Sequence, residues 1–409
     1  MKNLLLLTNY YPFGNRETSF LCEEVAALSE RFCVTVATLH EPCQDAATPL
    51  PDGVTAVPLK SGRHALACIR AILQPDLWRE VRDILRAGAP KLALPRIRFA
   101  LGQYTSAYRF TAAIRRQILP SFRPDVLYSF WGSSLGYETV LLKRLLPGAK
   151  AAVKLHRLEL YAEQHACAWQ SFRRPYARDV DALLFISDEG RRHYLQNWPY
   201  TPAEKTSVCY LGTRGVPAVH ARADGPLCIV SCAHVSPVKR IDRIADALSH
   251  LDSEQIEWRH IGAGSLFAEV TAHAKEMLGG KANITYRFEG QLTNCDVVPL
   301  YRAIGAQLFL SVSESEGLPV SMMEAACAGV PILATDVGGV SEIVLDGETG
   351  FLMPKDAPPA EIAAYIRRFY ALPAQERADM GACARRLWET RFDSGKNAAA
   401  LAERLDSLS

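Results

Sequence analysis

The chain has 409 residues, enough for two domains with separate cores, and its 46 Lys and Arg against 44 Asp and Glu leave a formal net charge of +2. With 49% hydrophobic and 22% charged residues it has a globular composition, and so small a net charge excludes a nucleic-acid partner held by bulk electrostatics. Eleven cysteines, scattered, odd in number and without Cys-x-x-Cys or Cys/His zinc spacing, exclude a disulfide framework and a structural zinc site and read as reduced core residues.

Asn3 to Thr8 is an apolar run of parallel-strand type. Its four leucines are too few for the apolar core of a signal peptide, and no run of about eighteen apolar residues follows, so the expected location is cytoplasmic or peripheral on the inner face of the cell membrane. The strand opens into Asn9 to Thr18, which holds Gly14 and Asn15, before a helix from Ser19 to Glu30. A strand, a glycine-bearing loop and a helix can make a ligand site, although the Gly-x-Gly-x-x-Gly fingerprint is incomplete. Strands are expected at Cys33 to Leu39 and Val54 to Leu59, then a helical stretch from Arg63 to Ile118 interrupted at Pro75, Pro90 and Pro95. Between Lys60 and Arg123, thirteen Lys or Arg face only Asp76, Glu80 and Asp83, a local excess of ten (13 − 3). Solvated helix faces account for such a run, and so does peripheral contact with an anionic membrane through residues 60–123. Further strands are expected at Asp125 to Ser129, Ala151 to Leu155, Ala182 to Ile186 and Ser207 to Leu211, with a helix from Leu135 to Leu146 and a linker rich in Gly, Pro and Ala from Gly212 to Pro226.

The second half repeats the alternation. Leu227 to Ala233 leads through His234 to Lys239 and Arg240 and a helix from Ile241 to Leu251, and a lysine at such a crossover is a natural diphosphate partner. Ile256 to Ile261 ends at Gly262 and Gly264, and Ile284 to Phe288 at Gly290, Gln291 and Leu292. Helices at Glu361 to Tyr370, Ala374 to Thr390 and Ser394 to Leu408 close the chain. The pattern is α/β, with two Rossmann-like domains at 1–213 and 214–391 and a closing helix, 392–409, packing back on the first.

The most informative stretch runs from Leu308 to Pro354. Ala306 to Val312 reads as a buried strand that breaks into Ser, Glu and Gly where ligands bind in such sheets. Pro319 then starts a helix on which Val320, Met323, Ala326 and Cys327 recur at helical spacing. Glu316 precedes that start and Glu324 lies within the helix, while the amides of Gly317, Leu318, Val320 and Ser321 are left for a ligand. Carboxylates accept hydrogen bonds from sugar hydroxyls, and free amides at a helix N-terminus attract phosphate, so the site suits a polyol carrying phosphates.

Glu316-Gly-Leu-Pro, Glu324, Gly329-Val-Pro331, Gly338-Gly339, Asp346-Gly347 and Gly350-Phe351, in that order, closely resemble the donor-binding half of the retaining glycosyltransferases of family 4. The resemblance implies the GT-B fold, two Rossmann-like domains facing across a cleft, and a metal-independent transfer with no cofactor beyond the nucleotide-sugar donor. It implies a UDP- or GDP-linked sugar as donor and a saccharide or lipid-linked acceptor, in synthesis of a surface polysaccharide, glycolipid or glycoconjugate. By the same resemblance Lys239 stabilises the departing diphosphate, Glu316 contacts the donor sugar, Glu324 holds the ribose, His156 reaches the donor sugar, and the loop at Gln291 and Leu292 holds the base through its backbone. Gly14 and Asn15 take the loop that faces donor phosphates or acceptor. His234 stands where the family has arginine, so a diphosphate contact through it would take up a proton, with Arg240 as the alternative cation. Asp179-Val-Asp181 has the form of the metal clamp of other glycosyltransferases, but it precedes an apolar strand rather than following one and is not read as a metal site. The rival readings are an epimerase or phosphorylase on the same fold, for which no acid, base or cofactor lysine stands out, and a non-catalytic sugar-nucleotide binding protein.

Overall fold

The computed structural model describes residues 1–14, 17–39, 48–60, 64–162, 166–219 and 225–408, with only the backbone of Asn294 and Cys295. Asn15, named above as a donor-site residue, and Arg63 of the basic stretch lie outside the described residues. The chain divides into two compact units, Met1–Tyr210 with Gly395–Ser409, and Leu211–Ser394. The expected boundaries, 213/214 and 391/392, lie within three residues of these divisions.

The first unit is built on a seven-stranded sheet of β1 (Lys2–Thr8), β2 (Phe32–Thr38), β3 (Thr55–Pro58), β4 (Val126–Ser129), β5 (Lys150–Leu155), β6 (Ala182–Phe185) and β7 (Thr206–Val208). All pairings are parallel and the order is β3-β2-β1-β4-β5-β6-β7. Leu4 and Leu6 pack on one face with Val25, Leu28 and Leu405, and Leu5 and Leu7 on the other with Phe110 and Ile114. With helices on both faces, successive side chains are all buried, which is why β1 is an unbroken apolar run rather than an alternating one.

Pro75 and Pro90 each open a helix, Pro75–Arg86 and Pro90–Gln117, where the missing N–H costs nothing. Pro95 departs from expectation: the helix Pro90–Gln117 continues through it, at the loss of one intrahelical hydrogen bond. Two short helices, Arg157–Leu160 and Arg173–Asp179, have no forerunner in the residue pattern, because four to seven residues are too few for helical periodicity to register.

The second unit carries six parallel strands, β8 (Leu227–Cys232), β9 (Ile256–Ile261), β10 (Ile284–Gly290), β11 (Leu308–Ser311), β12 (Ile332–Thr335) and β13 (Gly350–Met353), in the order β10-β9-β8-β11-β12-β13. Both sheets reverse their strand order at the first strand of the unit, between β1 and β4 and between β8 and β11. Such a switch point leaves a crevice at the carboxyl ends of the two strands, because their crossover helices leave to opposite sides.

The closing helix Ser394–Ser407 buries Leu401, Ala402 and Leu405 against Leu4, Leu6 and Val25 of the first unit. Lys2 Nζ also reaches Asp406 Oδ1 at 2.7 Å, but both side chains are more than one-third exposed and the pair is solvent-screened. Leu405→Ala is therefore expected to destabilise the first unit by about 2–4 kcal/mol in urea unfolding, whereas Asp406→Asn leaves the midpoint nearly unchanged.

Candidate active site

Two residues from different crossovers of the second unit meet at its switch point. Lys239 ends the short 3-10 turn Pro237–Lys239 that follows β8, and Glu316 lies in the loop after β11. Lys239 Nζ stands 2.5 Å from Glu316 Oε1, with the carboxylate side chain buried and the lysine more open. The helix Val320–Cys327 begins beside them. Pro319 is its N-cap rather than its first helical residue, and Pro319 O accepts the amides of Met322 (3.2 Å) and Met323 (3.3 Å). The amides of Gly317, Leu318, Val320 and Ser321 thus precede the helical ladder at the positive end of the helix dipole.

Close backbone approaches hold these loops. Gly338, at φ +56°, passes so near Glu316 O that a Cβ would lie 2.0 Å from it, and the next amide, Gly339 N–H, donates to Gly317 O at 2.8 Å. On the Lys239 side, Gly262 (φ +132°) would place a Cβ 2.0 Å from Ala233 O, and the amides of Val235 and Leu266 close the same contact through Ala263 O and Val235 O.

Arg240 is held among backbone carbonyls. Its Nε donates to Val312 O (2.8 Å) and its Nη2 to Ser313 O (3.2 Å) and Lys355 O (2.7 Å), while Nη1 lies 3.8 Å from Asp356. Its backbone is left-handed, at φ 47°. Through Nε and Nη2 the guanidinium braces the loops after β11 and β13. His234 is exposed in the loop between β8 and Lys239 and makes no ion pair among the described residues. Gln291 and Leu292 follow the edge strand β10, with Gln291 Nε2 donating to Leu292 O (3.1 Å), two strands away from β8.

Glu324 sits a turn into the helix, and among the described residues no group donates to its carboxylate. Burial alone pushes its pKa up to about 7. Under it lies a residue that sequence reasoning passed over: Cys232, at the end of β8, has its thiol pushed up to about 12, by burial first and then by the Glu324 charge, with Lys239 acting in the opposite sense. One thiol thus feels both the Glu324 carboxylate and the Lys239 ammonium. The only sequence signal for it is a cysteine at the end of a buried strand.

His156 and Gly14 belong to the first unit. His156 caps the helix Arg157–Leu160, with its amide donating to Glu159 Oε2 at 3.1 Å. Its ring lies against Trp131 and Phe130, at centroid distances of 4.4 and 4.8 Å. Burial, helped by the Lys154 ammonium, holds its pKa well below 6.5, so the imidazole is neutral, and neither ring nitrogen has a hydrogen-bond partner in the described structure. A cavity of about 290 Å³ opens nearby, lined among others by Gln103, Trp131, Glu159 and Ser171. Gly14 lies in the loop after β1, which Glu17 organises: its carboxylate accepts the amides of Asn9 (3.2 Å), Tyr10 (2.7 Å) and Tyr11 (2.8 Å) and the indole N–H of Trp131. Nothing in the residue order marks Glu17 for that work.

Residues 216–387 match the family model described as glycosyl transferases group 1. Over 375 residues, 88% of this chain and 85% of the other, the protein is 26% identical to the "Putative colanic acid biosynthesis glycosyltransferase WcaL" of Escherichia coli (strain K12). It is 33% identical over 132 residues, 31% of this chain and 36% of the other, to the lipopolysaccharide core biosynthesis mannosyltransferase LpsB of Rhizobium meliloti (strain 1021). Among solved structures it resembles Anabaena Alr3699/HepE in complex with UDP and glucose, with a TM-score of 0.64 at 17% identity over all of both chains. The sucrose-phosphate synthase of Thermosynechococcus elongatus gives a TM-score of 0.71, again at 17% identity, over 100% of this chain and 99% of that one.

The raised Glu324 pKa has a consequence for stability. Between the ordinary 4.5 and about 7 the folded protein holds a proton that the unfolded chain has released, so this carboxyl lowers stability progressively as pH rises through that window. Glu324→Gln is expected to be more stable than wild type at pH 8, by up to about 3 kcal/mol, and equal to it near pH 4.5. Urea unfolding of both proteins at the two pH values reads this difference, which an unshifted Glu324 would not produce.

Proposed function

We propose, from the premise that the second unit is a group 1 glycosyltransferase domain on the GT-B fold, that the chain moves a hexosyl or N-acetylhexosaminyl unit from a UDP- or GDP-linked donor to an acceptor hydroxyl, with retention and without a metal. The observation that carries this reading is the Lys239–Glu316 ion pair at the switch point, beside a helix N-terminus whose first amides precede the helical ladder. The donor diphosphate would take the ammonium and the amides of Gly317 to Ser321. As the bond from anomeric carbon to phosphate oxygen breaks, these fixed charges and dipoles meet the negative charge that develops on the leaving group. Glu316, relieved of its lysine, would face the sugar and accept from its hydroxyls, and ionised Glu324 would accept from the ribose.

The acceptor hydroxyl would attack from the face the nucleotide leaves, which retains configuration without a covalent intermediate on the enzyme. On the first unit, neutral His156 can donate from one ring nitrogen and accept at the other, which suits sugar hydroxyls better than phosphate. The names of WcaL and LpsB support a saccharide or lipid-linked acceptor in surface polysaccharide assembly, and the complex of HepE with UDP and glucose supports UDP as the nucleotide.

The test is donor consumption by the purified protein across a panel of UDP- and GDP-sugars in EDTA, with and without saccharide acceptors, and with anomeric configuration read by NMR. Lys239→Ala should lower kcat/KM by about a hundredfold, the scale of one lost transition-state donor. Glu324→Gln should weaken nucleotide binding, and wild-type affinity should rise as pH passes about 7, because the ribose selects the ionised carboxylate. Nucleotide binding without consumption of any donor would leave a non-catalytic binding protein as the better reading.

A further inference from the structure

The helix His64–Ile72 is packed inside out. Its buried residues are Ala67 and Ala71, while Leu66, Ile69 and Ile72 face solvent, joined by Leu73 just beyond its end, 72% exposed. Leu66, Ile69 and Leu73 recur at i, i+3 and i+7, so they form one stripe. The next helix, Pro75–Arg86, presents Trp78 (58% exposed) and Leu85 seven residues apart on one face, and Leu94 on the helix Pro90–Gln117 is exposed as well. Trp78 Nε1 donates to Ile72 O at 2.7 Å, which sets the first two stripes edge to edge. Seven of the eleven large apolar side chains exposed among the described residues fall within 66–94, too many in one place for the scattered apolar exposure of an ordinary surface.

The charges around this face are of one sign. Arg70, Arg82, Arg86, Lys91 and Arg98 are exposed and make no ion pair among the described residues. The acids of the same helices turn inward: Asp76 lies under Arg79, Arg144 and Arg178, Glu80 accepts from the Trp169 indole and the Phe172 amide, and Asp83 pairs with Arg174. The excess positive charge of the sequence is thus sorted outward around an apolar centre.

We infer that the surface formed by residues 64–98 docks on an anionic lipid bilayer, with the Leu66, Ile69, Leu73, Trp78 and Leu85 side chains in the headgroup and upper acyl region and the cations on lipid phosphates. A second copy of this chain fits poorly, because a two-fold contact would set these cations against their own kind. An uncharged apolar partner would leave five cations without a counterpart. An anionic bilayer supplies both the apolar layer and the negative charge, and no helix of the described residues is long and apolar enough to cross it, so the binding is interfacial.

Flotation of the full chain with phosphatidylglycerol/phosphatidylcholine vesicles tests this independently of any transfer activity. Binding is expected to the mixed vesicles and to be far weaker on pure phosphatidylcholine, with partial loss as salt rises. Replacing Leu66, Ile69 and Leu73 together by serine, at positions whose exposure leaves the core intact, should weaken binding by at least about tenfold. The blue shift of tryptophan emission on vesicles should be smaller in Trp78→Phe. Absence of binding to the mixed vesicles at low salt, or binding unaffected by the triple serine variant, overturns the inference. So does a concentration-dependent dimer in sedimentation velocity that the triple variant abolishes, since the face would then belong to a protein interface.

Discussion

The contact between the Lys239 ammonium and the Glu316 carboxylate governs the second unit. The carboxylate side chain is only 8% exposed, and a charge so placed costs several kcal/mol unless an opposite charge stands against it. Two crossovers, one leaving β8 and one leaving β11, must therefore hold their separation to a fraction of an ångström. The backbone contacts made by Gly262, Gly338 and Gly339 and the three carbonyls gathered by Arg240 all serve that one distance. In the proposed reaction the protein keeps its lysine charged and fixed by a carboxylate until a diphosphate arrives.

Burial, which secures that pair, leaves Glu324 without one. A carboxyl that burial brings to titrate near 7, and to which no described residue donates, is poised to gain hydrogen bonds from a polyol, and the same burial makes it a stability cost. Glu316 and Glu324, eight positions apart on either side of a helix start, thus differ in electrostatic state.

Much of this arrangement was legible in the chain. Buried parallel strands announce themselves as unbroken apolar runs, which mark all seven strands of the first sheet and the first four of the second, while the four-residue strands β12 and β13 do not stand out; Lys239 and Glu316 beyond strand ends and Glu324 within the following helix are placed by the same pattern. Direction was not legible. Residue order puts Arg240 next to Lys239 but cannot tell that a left-handed backbone turns its guanidinium to carbonyls, nor that His156 lies against Trp131, a neighbour 25 positions away. Helical periodicity marks two faces of residues 64–73 without saying which is inside, so the basic stretch 60–123 gives no sign that part of its outer surface is apolar. Pro95 shows the same limit, since a helix already begun and packed tolerates a proline that would discourage one from starting.

The loop after β1 distinguishes the two related sheets. In a doubly wound sheet the amides beyond the first strand are the natural cradle for an anion, and here those of Asn9, Tyr10 and Tyr11 converge on Glu17, an anion the chain provides for itself. The first unit thus carries its own plug, tightened by the Trp131 indole, and a phosphate reaching that loop would have to displace an internal carboxylate. Beyond β8 the amides are spent on the backbone instead, Ala233 and Val235 donating to the carbonyls of Ile261 and Ala263, so the same position in the two sheets is closed by a side chain in one and by main chain in the other.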